Sequence, residues 1–216
     1  MQPNKVGAIA SYVLTVQFLL TLLWIVVSWP AAGISGLADA MAQYFRARIS
    51  ESLPFAVMNL YNVSFAVSAL ILALRLRRLF AEFPYRIDFA FFSIVIAGAL
   101  YVASGVVPLV AAPDLAKVGD ESALNALQGI GAGLLLGGTM ASGLGVAVFA
   151  WVGFNSGRLP MLLCSVMLVA GLIETAEWAS PAILVLDPLL GSFWSLWLGR
   201  LLWMNRVKDR NEQANT

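Results

Sequence analysis

The chain has 216 residues, 60% of them hydrophobic and 12% charged, with a net charge of +1 and a mean hydropathy of +0.84. Such a composition lies outside the range of soluble globular domains and offers no basic surface for nucleic acid. A single cysteine, Cys164, excludes an internal disulfide, and the lack of histidine removes the usual haem, zinc and copper ligand, so no cofactor is expected.

Long apolar runs separated by short polar connections predict an all-α, polytopic integral membrane protein, a single domain over 1–216 with six transmembrane helices. The first span, 7–29, is too long for a signal-peptide core and is read as uncleaved. After it, "GLADAMAQYFRARISES" (36–52) sets Leu37, Met41, Tyr44, Phe45 and Ile49 at helical spacing, with Arg46, Arg48 and Glu51 on a polar side. This pattern predicts an amphipathic helix on the outer surface, the alternative being a solvated loop with one helical turn.

The second span, 53–75, carries Asn59, Asn62, Ser64 and Ser68 and ends in "LRLRR", a basic anchor that can also touch anionic lipid. The third, 87–111, holds Tyr101 and Ser104, and "APDLAKVGDES" after it has turn chemistry, with Asp120 or Ser122 as the next N-cap. The fourth, 122–154, exceeds the ~20 residues needed to cross, so it must be tilted, broken at a glycine or extended beyond the bilayer. Its Gly129, Gly133 and Gly137 lie four apart and predict a smooth packing face, a hinge or backbone-lined pore being the alternative. The fifth span is 160–179 and the sixth 188–205, with Asp187 read as the cap of the last helix before Pro188. On the sixth, Phe193, Trp194 and Trp197 are expected to be exposed to lipid or to a partner.

Orientation follows from Lys and Arg. With both termini cytoplasmic, ten basic residues lie inside and three (Arg46, Arg48, Lys117) outside. Trp29 and Trp178 then mark the outer interface, and Trp151 and Trp203 the inner one.

Polar side chains in hydrocarbon need a partner or water. Gln17, Asn59, Asn62, Tyr101, Gln128, Glu174 and Glu177 all fall in the middle or outer half, which predicts an outward-facing polar cavity above an apolar inner half. Glu174 and Glu177 sit at i, i+3 on one face and repel, so one should be protonated or paired with a cation, with Arg46 or Arg48 as a lid. The plainer reading makes Glu177 interfacial and Glu174 a lock hydrogen-bonded to the asparagines. Three functions remain open: binding or transport of a small solute or cation, a non-catalytic subunit of a membrane complex, and an intramembrane enzyme acting on a lipid or isoprenoid. Enzymatic activity is the least supported, because no nucleophile with a base can be assembled without histidine. Membrane lipids are the expected surroundings, with homo- or hetero-oligomers as further partners.

"GRLPMLLCSVMLVAGLI" followed by "FWSLWLGRLLWM" resembles the closing helix pair of a bacterial family of small six-helix membrane proteins known only as a domain of unknown function. Arg86 and Asp88 resemble the Arg–Glu pair of that family's third span. The resemblance implies six helices and a bacterial cytoplasmic membrane, and implies no activity.

Overall fold

The structure is a computed structural model that describes residues 3–28, 52–119, 121–176, 181–204 and 207. Among them there are six α-helices and no strand: α1 Pro3–Leu23, α2 Ser52–Leu79, α3 Pro84–Val118, α4 Glu121–Ser156, α5 Met161–Thr175 and α6 Pro181–Trp203. A π-helical turn, Trp24–Ser28, continues α1. Four of these stretches are long and apolar enough to cross a membrane: Asn4–Val27, Leu60–Leu79, Pro84–Val107 and Glu121–Ser156. The expected surface helix at 36–52, with Arg46 and Arg48, and also Trp29, Glu177 and Trp178, lie outside the described residues.

Each helix packs on its neighbours in the chain, and α6 returns to pack on α1, so the bundle closes into a ring. The turns that allow this are short. Phe80–Phe83 joins α2 to α3, and Gly157 takes φ +65° between α4 and α5, a left-handed conformation that only glycine adopts at little cost. Gly119, at φ +70°, does the same between α3 and α4.

Three sequence expectations change here. "APDLAK" is helical, because α3 runs on to Val118 and α4 begins at Glu121. The fourth span is unbroken over 36 residues, so its length is taken up by tilt or extension and not by a glycine break. At ~1.5 Å per residue, α3 and α4 each reach about 50 Å, well beyond a ~30 Å hydrocarbon core. The last helix begins at Pro181, so Asp187 and Pro188 lie inside it and Asp187 caps nothing.

The glycine face is also relocated. A Cβ on Gly129 or Gly133 would meet nothing within 4 Å, and one on Gly137 would only brush Leu100 at 3.3 Å. The close approaches occur further along α4, at Gly138 against Tyr101, Gly145 against Ile94 and Gly143 against the backbone of Gly171. Spacing by four identified small residues correctly, but an unbroken helix carries Gly129 and Gly133 past the end of α5. Gly129→Ala and Gly133→Ala should therefore leave the bundle folded and raise its stability by up to about 1 kcal/mol each, since alanine costs less in a helix than glycine. Thermal unfolding in detergent checks this, and a drop in midpoint would show a neighbour at that face.

One end of the ring gathers the basic residues. The Arg77 guanidinium pairs with Asp88 at 2.7 Å, joining α2 to α3. Arg158 pairs with Glu82 at 2.8 Å and donates to the Leu79 carbonyl, tying the α4–α5 turn to the α2–α3 turn. Arg86 stacks over Trp151 at 4.7 Å and Lys5 over Trp203 at 5.8 Å. Asp88 thus pairs with Arg77 on the preceding helix and not with Arg86. The aromatics of α6 divide as well: Phe193 faces outward, Trp197 is half-buried, and Trp194 is buried against the interior.

Candidate functional site

The ring encloses a cavity to which every helix contributes. Leu14 and Phe18 of α1, Phe65, Ala69, Leu72, Ala73 and Leu76 of α2, Ile94 of α3, Ser142, Val146 and Phe149 of α4, Met167 and Glu174 of α5 and Trp194 of α6 line it. The cavity is narrow, with a volume of about 30 Å³, and it is open on one side. Apart from Ser142, the Trp194 indole and Glu174, the wall is hydrocarbon or aromatic ring.

Glu174 is buried in the last turn of α5. Its depth is set one turn earlier, where Gly171 lets α5 press against Gly143 of α4. Thr175 folds its hydroxyl back onto the Gly171 carbonyl at 2.7 Å, so it consumes its own polarity and leaves Glu174 as the polar group facing inward. The Tyr101 hydroxyl donates to Glu174 Oε1 at 3.4 Å, from α3. Tyr101 in turn packs edge-on against Phe65 (5.3 Å), Phe65 against Phe18 (5.5 Å) and Phe18 against Trp194 (6.3 Å). This row of rings carries the wall from α3 through α2 and α1 to α6, with the carboxylate at one end of it.

The polar residues expected from sequence are therefore divided. Glu174 and Tyr101 meet. Asn62 is half-buried and, among the described residues, makes no hydrogen bond to Glu174. Asn59 and Gln128 lie on α2 and α4, and Glu177, Arg46 and Arg48 fall outside the described residues. Gln17 is buried in a separate seam between α1 and α2. Among the described residues the central cavity is largely apolar with Glu174 in its wall, and a polar seam between α1 and α2 lies beside it.

The seam is rich in oxygen. Gln17 Nε2 donates to Ser64 Oγ and, at 3.5 Å, to the Tyr61 carbonyl. The Tyr61 hydroxyl donates to the Gln17 carbonyl at 2.9 Å, Thr21 Oγ1 reaches the same carbonyl at 3.0 Å, and the two hydroxyls lie 2.5 Å apart. Asp187 of α6 lies one turn beyond Gly191, which packs on Phe18 of α1, so it falls at the level of this seam. Sequence reasoning missed Asp187 because "LDP" imitates a helix start. The signal that would have found it is the row Asp187, Gly191, Ser195 and Gly199, four apart on α6.

Fold and site together define an all-helical bundle with several helices fit to span a membrane and a cavity at its axis. Neither a family model, nor a curated protein, nor a solved structure matches the chain.

Proposed function

We propose that this chain is a six-span protein of the bacterial cytoplasmic membrane, with both termini in the cytoplasm, that binds a small amphiphilic solute in its central cavity. The apolar body of the solute lies among Phe18, Phe65, Phe149 and Met167, and its cationic or hydrogen-bond-donating head meets Glu174. The carrying observation is the cavity itself: six helices converge on a hydrocarbon wall interrupted by one buried carboxylate. The grouping of Lys5, Arg77, Arg86 and Arg158 with Trp151 and Trp203 at one end supports the orientation.

Thermal unfolding of the full chain in nanodiscs tests this with tetraphenylphosphonium and its isosteric anion tetraphenylborate. The cation should raise the midpoint and the anion should not. Ala69→Phe, which fills the cavity from α2, should remove the response while the protein stays folded. If wild type ignores the cation, or Ala69→Phe responds as wild type does, the reading fails.

A further inference from the structure

The polar seam holds more acceptors than donors. The Gln17 carbonyl, the Thr21 hydroxyl and the Tyr61 hydroxyl form a triangle with three edges of hydrogen-bond length but only two protons to fill them. Beside it, Gln17 Oε1 is buried with no hydrogen-bond partner, on a side chain only 4% exposed. The Tyr61 carbonyl can only accept, so it fixes Nε2 on its own side and leaves Oε1 as the orphan. A buried acceptor left unmade costs about 1–3 kcal/mol, so it calls for a donor or a cation.

α6 supplies the charge. Its face toward α1 is a row of small residues: Gly199 against Tyr12, Ser195 against Ser11 and Thr15, and Gly191 against Phe18. Asp187 is the next member of that row, one turn beyond Gly191, where α1 has moved one turn from Phe18 to Thr21. Backbone irregularity falls at the same level on both helices. α1 widens into the π-helical turn at Trp24–Ser28, and Pro188 offers no N–H to the carbonyl four residues before it. Loosened backbone of this kind exposes carbonyl oxygens at membrane depth, where a cation stripped of water can use them.

We propose that the oxygens of Gln17, Thr21, Tyr61 and Asp187, between α1, α2 and α6, form a site for a dehydrated monovalent cation of sodium size. The donor set is hard and carries one negative charge. It suits an alkali cation better than zinc or copper, which favour nitrogen and sulfur ligands. Among the described residues no cluster of three metal-ligating His, Cys, Asp or Glu side chains exists to favour a transition metal.

The test uses the full chain in nanodiscs at mildly alkaline pH, with NaCl replacing choline chloride at constant ionic strength. Wild type should show a saturable rise in unfolding midpoint with sodium. Asp187→Asn should abolish it, and Gln17→Leu should weaken it at least about tenfold. Should Asp187→Asn fail to fold, Tyr61→Phe removes one hydroxyl and should raise the half-effective sodium concentration several-fold. Glu174→Gln should keep the sodium response, which separates this site from the central cavity. Equal midpoints in sodium, lithium, potassium and choline, or an unchanged sodium response in Tyr61→Phe together with Gln17→Leu, would overturn the proposal.

Discussion

Gly171→Leu is expected to abolish the folded bundle, and Gly171→Ala alone to lower its stability by about 2 kcal/mol or more. A Cβ at this position would stand 2.5 Å from the Gly143 carbonyl oxygen and 2.7 Å from the Ala147 nitrogen. Both neighbours are backbone atoms, so no side chain can swing aside, and α5 must move as a unit away from α4. The reverse substitution meets the same wall, since a Cβ on Gly143 would lie 2.5 Å from the Gly171 carbonyl. Close glycine contacts matter more in lipid than in water, because apolar side chains gain little by leaving lipid and van der Waals contact must hold helices together. Moving α5 also displaces Glu174 from Tyr101, so any ligand response should disappear with the fold. Retention of the elution volume and unfolding midpoint by Gly171→Leu would show that α4 and α5 do not cross here.

The second large effect concerns charge in the cavity. Wild type should bind tetraphenylphosphonium at least about tenfold more tightly than Glu174→Gln, the difference that ~1.4 kcal/mol of pairing energy would give. The carboxylate is buried and accepts from the Tyr101 hydroxyl, so little water screens it. Glutamine keeps the size and can still accept from Tyr101, which makes the substitution a test of charge and not of packing. Equilibrium dialysis against nanodiscs measures it. Equal affinity in the two proteins would remove Glu174 from the binding reaction.

Much of this fold could be read from the chain because membrane spans obey simple rules. Apolar runs near 20 residues marked the helices, and one kind of misplaced end arose where polar residues continued a helix beyond the apolar stretch. "APDLAK" is the clearest case, with proline and aspartate inside a helix that sequence alone ends at about residue 111. Asp187 and Pro188 show the same error in reverse, a cap pattern buried in a helix that had started at Pro181.

The site was harder to read than the helices. Depth along each span can be counted from sequence, and depth brought Tyr101 and Glu174 to the same level, where they meet. Azimuth cannot be counted so easily, because it depends on which neighbour each face meets. Gln17 belongs to a helix that also lines the cavity, yet its side chain faces Tyr61 and Ser64 of α2. Trp194 looked like part of an outward aromatic face with Phe193 and Trp197, yet it closes the cavity, because Gly191 and Ser195 on its flanks bring α6 against α1. Ring closure between α1 and α6 is the long-range fact that no local pattern encodes.

If the helices cross the membrane with the basic end inside, the two ends of α3 lie on opposite sides of it. Tyr85, beside the basic cluster, is 91% exposed, and Val118, at the far end, is 81% exposed. Cys164 is the sole native cysteine, so Cys164→Ser gives a clean background for Tyr85→Cys and Val118→Cys. In intact bacterial cells a membrane-impermeant maleimide should label Val118→Cys and should reach Tyr85→Cys only after permeabilisation. Labelling of both positions in intact cells, or of Tyr85→Cys alone, would contradict this orientation.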